Sequence, residues 1–216
     1  MIEKLREGSG NIEPMNVVVE LVKKQKEKKR CVSVAEIGVG YGATSVEIIK
    51  VLNNEDNYFF FDFEETVKEL LSDLEKININ EVSLIGIGNT SKRYDSYAWN
   101  IAQLYIRWEK NGEDVHKFDV VYLDGAHTFL FDVSAASILK EMIPIGGYIV
   151  LDDVNWSIAT SPTCNPQRNP QILDNFTQEQ IEACHIDVVK QVIFDNDERY
   201  ARIDNYNRIA IFRREK

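Results

Sequence analysis

The sequence predicts an α/β fold built on a mainly parallel, doubly wound β-sheet. Short apolar runs alternate with stretches of helical character between residues 32 and 153, and this alternation is typical of repeated βαβ units. Two more strand-like runs follow at residues 188–194 and 208–214. We therefore expect a seven-stranded sheet in a single domain that covers residues 1–216.

The predicted elements follow one another regularly up to residue 153. Strands are expected at residues 32–38, 58–62, 82–88, 118–124 and 148–153. Helices are expected between them, at residues 43–52, 67–74, 97–108 and 129–142. The second of these helices shows the pattern well, because its apolar residues recur at i, i+3, i+4 and i+7, which is one helix face. Residues 195–207, between the last two strands, are rich in turn formers.

Two segments fall outside this alternation. Residues 1–30 are expected to form an N-terminal helical segment, with the basic run at residues 23–30 as its solvated end. Residues 155–180 contain three prolines, which oppose regular structure and predict a long loop that closes over a site. Within that loop, Trp156 and Arg168 are the side chains that we expect to contact a substrate.

Composition excludes several classes of function. A formal net charge of −10 argues against a nucleic-acid partner, since such binding depends on neutralising phosphates with Lys and Arg. No apolar run approaches the ~20 residues that span a bilayer, and the first ten residues lack the apolar core of a signal peptide. The cysteines, Cys31, Cys164 and Cys184, have no metal-ligand spacing and suggest reduced thiols. We expect a cytoplasmic protein with no membrane partner.

A glycine-rich turn follows the first predicted strand and opens a helix. Gly38, Gly40 and Gly42 would let the backbone turn sharply and approach a ligand closely. Asp62 closes the second strand, where a carboxylate can accept both hydroxyls of a ribose. The turn also satisfies the dinucleotide fingerprint, so an NAD-binding oxidoreductase stays open as an alternative. Against NAD, the negative charge of Glu36 would oppose a pyrophosphate.

Carboxylates also close the fourth and fifth predicted strands. Asp124, Asp152 and Asp153 would converge if these strands are neighbours, because ligands bind beyond the carboxyl ends of parallel strands. Three carboxylates in one crevice repel each other unless a cation lies between them, and oxygen ligands favour Mg²⁺, Mn²⁺ or Ca²⁺ over Zn²⁺. The alternative is that these acids only cap helices or order the following loop. His127 follows Asp124 closely and could act as a general base.

Three motifs together resemble the class I S-adenosylmethionine-dependent methyltransferases. They are E-x-G-x-G-x-G after the first strand, an acid closing the second strand, and a P-x-G-G turn before the fifth at residues 144–147. The resemblance covers nearly the whole chain and implies a Rossmann-like sheet with an antiparallel C-terminal strand. It also implies cofactor contacts: Glu36 near the methionine amino group, Gly38, Gly40 and Gly42 beneath the cofactor, Asp62 on the ribose, and Asn89 near the adenine.

The strand-end acids resemble those of one branch of this family, the metal-dependent O-methyltransferases that act on catechols and on sugars. The resemblance implies methyl transfer to a hydroxyl of a small molecule, with a sugar as first choice, Mg²⁺ held by Asp124, Asp152 and Asp153, and His127 as base. A metal-independent methyltransferase and a non-catalytic cofactor-binding protein are the alternatives. The apolar segment at residues 16–22 could cap the cofactor or join the subunits of a homo-oligomer.

Overall fold

A computed structural model describes residues 12–77, 80–203 and 206–216 and contains one seven-stranded sheet in the order β3-β2-β1-β4-β5-β7-β6. The strands are β1 (Ser33–Ile37), β2 (Asn57–Phe63), β3 (Ser83–Asn89), β4 (Val120–Leu123), β5 (Tyr148–Leu151), β6 (Tyr200–Arg202) and β7 (Ala210–Arg214). Strands β1 to β5 are mutually parallel, and β7 runs antiparallel to both β5 and β6. The predicted mainly parallel sheet with an antiparallel C-terminal strand is confirmed.

Helices cover both faces of the sheet. They are α1 (Ile12–Lys26), α2 (Ala43–Val51), α3 (Glu64–Ile77), α4 (Tyr97–Lys110), α5 (Phe129–Leu139), α6 (Gln178–Glu182) and α7 (His185–Ile193). Helices α1, α2 and α3 pack in one apolar cluster, and α4, α5 and α7 pack in the other. No helix in the described part of the chain is long and apolar enough to cross a membrane.

The strand order places a crevice at the carboxyl edge of the sheet. Strand β1 has β2 on one side and β4 on the other, so the connections that leave β1 and β4 diverge to opposite faces. In open α/β sheets ligands bind at such a switch point. The glycine-rich turn and the loop that follows β4 both lie there.

The sixth strand was predicted in the wrong place. Residues 188–194, predicted as a strand, belong mostly to helix α7, and the true β6 lies within the segment that was predicted as a turn. Helical spacing explains the difference, because Ile186 and Val189 are buried against the core while Val192 is 60% exposed. Lys190 also pairs with Asp187 three residues earlier, at 2.9 Å, a contact that a helix allows and a strand does not.

The N-terminal segment is part of the core along much of its length. Val18 and Val22 are fully buried on α1, so this apolar face packs within the chain and does not project from it. The basic run is also more than a solvated helix end, since Lys26 and Lys29 pair with the buried carboxylates of Asp56 and Asp119. Residues 1–11 of the predicted helical segment lie outside the described residues.

The predicted loop at residues 155–180 contains turns, a 3-10 helix (Pro170–Asp174) and the start of α6. Ser157 and Ser161 within it are buried, and the Ala159 N–H donates to the Ile181 carbonyl over 2.9 Å. This hydrogen bond ties the segment to α6.

Candidate active site

A pocket opens at the switch point between β1 and β4. Its lining comes from the ends of β1, β2 and β3, the start of α4, the loop after β4 and the start of α5. The lining residues are Gly38, Asp62, Phe63, Asn89, Asp95, Ser96, Tyr97, Gly125, Ala126 and Phe131. Three residues that the sequence indicated as cofactor contacts, Gly38, Asp62 and Asn89, are thus brought together at one pocket.

Gly38 lies where two chain segments meet at short range. Its backbone has φ 81°, in the left-handed region. A Cβ added there would lie 2.0 Å from the Asp124 carbonyl oxygen and 3.1 Å from the Gly125 Cα. Only glycine fits this position, because any side chain would push the loop after β4 away from the end of β1.

Asp62 is anchored at the wall of the pocket. Its two carboxylate oxygens accept hydrogen bonds from the backbone N–H groups of Val39, at 2.9 Å, and Phe63, at 2.6 Å. These bonds tie the end of β2 to the glycine-rich turn. Each carboxylate oxygen retains a further lone pair that could accept a ligand hydroxyl.

Glu36, Gly40 and Gly42 are not among the residues that line this pocket. The Glu36 side chain is 1% exposed and accepts hydrogen bonds from the Ser45 hydroxyl, at 2.8 Å, and from the Tyr58 hydroxyl. Burial raises the pKa of Glu36 to about 7. The geometry therefore directs this carboxyl group into the interior between β1 and α2, and its expected contact with a cofactor amino group stays a prediction.

A cluster of three side chains lies beside the pocket. Asp124, His127 and Asp153 each offer a ligand atom, and these atoms lie within 4.8 Å of one another. The Nε2 atom of His127 is 3.5 Å from Asp124 Oδ1 and 3.6 Å from Asp153 Oδ2. His127 Nδ1 is buried and has no hydrogen-bond partner within the described part of the chain.

Asp152 lies behind this cluster and not in it. Its side chain is 1% exposed and accepts hydrogen bonds from the Tyr122 hydroxyl, at 2.6 Å, and from Arg208 Nε, at 3.0 Å. Arg208 also pairs with Asp153, at 2.7 Å. Arg208 offsets part of the repulsion between the two aspartates. Sequence reasoning missed this residue because it lies far along the chain from both of them.

Two members of the cluster have an unusual backbone. His127 has φ 52° and Asp153 has φ 55°, and a non-glycine residue in this left-handed region is strained by roughly 1–2 kcal/mol. Such strain persists only where the surrounding structure imposes it, and it is common at functional sites. Here it turns both side chains towards Asp124.

The carboxylates of the cluster hold their protons more tightly than usual. Desolvation raises the pKa of Asp124, and the neighbouring Asp152 and Asp153 raise it further. Desolvation and Asp152 also raise the pKa of Asp153, whereas His127 and Arg208 lower it. Excess negative charge in a crevice of this kind favours any cation that enters it.

One loop joins the pocket to the cluster. Gly125 and Ala126 line the pocket, while their immediate neighbours Asp124 and His127 belong to the cluster. The ring of Trp156 lies 5.5 Å from the ring of His127, centroid to centroid, so this residue of the predicted loop lies beside the cluster. Arg168, the other expected contact, is exposed.

Comparison with solved structures identifies the fold. No protein-family model matches the sequence, and no curated protein does. An O-methyltransferase from Bacillus cereus in complex with S-adenosylhomocysteine (SAH) aligns with 96% of this chain and 83% of its own length, at a TM-score of 0.58 and 13% identity. The CurJ carbon methyltransferase aligns with 94% of this chain at a TM-score of 0.56 and 14% identity.

The chain spans about half the length of some of these proteins: 54% of CurJ, and 45% of the MycE methyltransferase in its complex with Mg, SAH and mycinamycin VI. MycE aligns with 86% of this chain at a TM-score of 0.53 and 16% identity. Identities this low establish the fold and not the acceptor. The chain has the fold of the class I S-adenosylmethionine-dependent methyltransferases.

Proposed function

We propose that this protein is an S-adenosylmethionine-dependent O-methyltransferase that acts on a hydroxyl group of a small molecule. One observation carries the proposal. The loop at residues 124–127 supplies two residues to the pocket and two to the cluster, so a ligand in the pocket would lie directly beside groups that can handle a proton. The solved structures that share this fold include O-methyltransferases.

In this proposal the pocket holds the cofactor. Gly38 allows the backbone to pass close beneath it, the Asp62 carboxylate accepts the ribose hydroxyls, and Asn89 lies near the adenine. Gly40 and Gly42 shape the turn, with φ values of 49° and 78°. When bound, S-adenosylmethionine supplies an electrophilic methyl group, and the cationic sulfonium would be favoured by the acidic surroundings.

Asp124, His127 and Asp153 are the residues that would hold a divalent cation. Two carboxylates and one imidazole within 4.8 Å suit Mg²⁺ and, because of the nitrogen, suit Mn²⁺ at least as well. A cation there would lower the pKa of the acceptor hydroxyl and fix its position. Asp152 then has a supporting role, since its bonds to Tyr122 and Arg208 orient the segment that carries Asp153.

A metal-independent reaction is the second candidate, and Arg208 is the observation that favours it. Its pairing with Asp152 and Asp153 supplies positive charge without an added ion. In that case His127 Nε2 accepts the proton of the acceptor hydroxyl, and the carboxylates of Asp124 and Asp153 stabilise the imidazolium that forms. The two candidates differ in whether His127 Nε2 binds a metal or a proton.

A sugar or sugar-containing metabolite is the acceptor that we propose first. MycE, whose structure contains Mg, SAH and mycinamycin VI, has the same fold, and the ring of Trp156 beside His127 offers an apolar face on which a sugar ring could stack. A catechol-like acceptor would use the same face. We also propose a cytoplasmic location, which the composition predicts, and small molecules as partners, which the resemblance to methyltransferases implies.

Transfer of a labelled methyl group tests both candidates. The purified protein is incubated with labelled S-adenosylmethionine and a panel of sugars and catechols, first in EDTA and then with Mg²⁺ or Mn²⁺ restored. We expect labelled product only after the metal is restored. Undiminished transfer in EDTA would instead support the metal-independent reaction. If the protein binds SAH but transfers no label to any of these oxygen acceptors, O-methylation of this panel is refuted.

A further inference from the structure

Two buried side chains from different helices converge on the loop that joins the pocket to the cluster. Tyr97 begins α4 and Asp132 lies in the first turn of α5. The Tyr97 hydroxyl donates a hydrogen bond to Asp132 Oδ1 over 2.5 Å. Asp132 is fully buried, and Tyr97 is 9% exposed. Neither residue was indicated by any sequence motif.

Each member of this pair also binds the backbone of the loop. The Ala126 N–H donates to the Tyr97 hydroxyl over 3.1 Å, and the Thr128 N–H donates to Asp132 Oδ2 over 2.8 Å. These two amides lie on either side of His127. The pair therefore fixes the backbone on both sides of a residue that the proposed chemistry uses.

The pair also packs directly against the residue between Asp124 and Ala126. A Cβ at Gly125 would lie 2.5 Å from Asp132 Oδ1 and 2.6 Å from the Tyr97 hydroxyl. The loop thus approaches the two polar groups as closely as a glycine permits. The close packing at Gly125 and the two hydrogen bonds to the Ala126 and Thr128 amides together determine where Asp124 and His127 lie relative to the pocket.

We propose that Tyr97 and Asp132 are positioning residues, which hold residues 124–128 so that the cofactor pocket and the Asp124, His127 and Asp153 cluster keep their mutual geometry. The inference rests on the proposed function of that site. The Asp132 carboxylate has no solvent to stabilise it, so the hydroxyl of Tyr97 and the amide of Thr128 are its principal partners. Loss of one partner loosens the loop without removing any group that touches a reacting atom.

The test is the Tyr97→Phe variant, which removes one hydroxyl and keeps the ring on the pocket wall. Amide hydrogen exchange is followed residue by residue by NMR, and SAH binding is measured by calorimetry. We expect the protection of the Ala126 amide to fall about tenfold or more, because this amide loses its hydrogen-bond acceptor, and SAH affinity to fall by a similar factor. Tyr105→Phe, on the same helix, is the matched control and should change neither.

The Asp132→Asn variant provides a second test if Tyr97→Phe folds poorly. An amide group can accept from only one side, so at least one of the hydrogen bonds from Tyr97 and Thr128 is lost and loop protection falls. Unchanged protection in correctly folded variants would overturn the inference. Weaker SAH binding with unchanged protection would overturn it too, because Tyr97 would then be a pocket contact. Failure of the wild-type protein to bind SAH would refute the proposed function, while the exchange data would still decide the positioning role.

Discussion

Replacing Gly38 with alanine should damage the pocket and the cluster together. The added Cβ would lie 2.0 Å from the Asp124 carbonyl oxygen, whereas ordinary contact begins at 3.4 Å. The difference, 3.4 − 2.0 = 1.4 Å, is the distance by which one of the two backbones must retreat. Because Asp124 belongs to the cluster and Gly125 lines the pocket, that retreat displaces both parts of the proposed site.

A matched control separates this steric effect from backbone strain. Gly112 also has a left-handed φ, 69°, but a Cβ there would meet nothing within 4 Å. Gly112→Ala should therefore cost only the left-handed strain, about 1–2 kcal/mol of the free energy of unfolding. Gly38→Ala should cost this amount plus about 1–3 kcal/mol for overpacking.

Two assays measure the outcome. Denaturant unfolding gives the loss of stability for both variants, and calorimetry gives their affinity for SAH. Displacing the pocket wall by more than ~1 Å breaks ligand contacts worth about 1–3 kcal/mol, so we expect SAH affinity to fall by about 10- to 100-fold in Gly38→Ala. Gly112→Ala should bind SAH normally. Equal stability and equal SAH affinity in the two variants would refute the contact between Gly38 and the loop after β4.

Three further outcomes follow from the charges. Arg208→Met should lower the free energy of unfolding by about 1–3 kcal/mol, because the buried Asp152 carboxylate loses the cation that pairs with it. Arg213→Met, which breaks a pair with the exposed Glu215, should cost less than about 1 kcal/mol. Equal losses by denaturant unfolding would contradict this. Burial raises the pKa of Glu36 to about 7, above its ordinary 4.5, so wild-type stability should fall as pH rises from about 4.5 to about 7. The Glu36→Gln variant should lack this fall. Parallel curves of unfolding free energy against pH for the two proteins would contradict the raised pKa. Hydrogen bonds from Arg199 lower the pKa of Asp197 below its ordinary 3.8, so the stability that this pair contributes is present above pH 3.8 and is lost as pH falls through the lower folded value. The Arg199→Gln variant should therefore lose less stability than the wild type on acidification, as measured by thermal unfolding. An equal loss of stability in acid would disprove the coupling.

Sequence patterns were sufficient for the first five strands, because buried parallel strands form apolar runs that are bounded by turn residues. They failed at α7, where β-branched residues such as Val188 and Val189 suggested a strand although their burial follows helical spacing. Tertiary packing against α5 outweighs that local preference. The same limit applies to β6, whose short pairing with β7 has little sequence signal.

The candidate site shows a second limit. Asp152 and Asp153 are adjacent and lie just after β5, which ends at Leu151, but their carboxylates have different partners. Asp152 points towards Tyr122 and Arg208, and Asp153 turns towards the cluster through its left-handed backbone. Sequence could place these acids at the edge of the sheet, but it could not show which of them faces Asp124 or that His127 would join them.

The proposed function requires that the pocket beside Asp62 binds S-adenosylmethionine or its product. Calorimetric titration of SAH, with NAD as the comparison ligand, measures this for the wild-type protein and for Asp62→Asn. We expect one SAH to bind per chain, an affinity at least about tenfold lower in the variant because a charge-assisted hydrogen bond is lost, and no heat from NAD. Binding of NAD without SAH would contradict the proposed function, and equal SAH affinity in the two proteins would contradict the proposed role of Asp62.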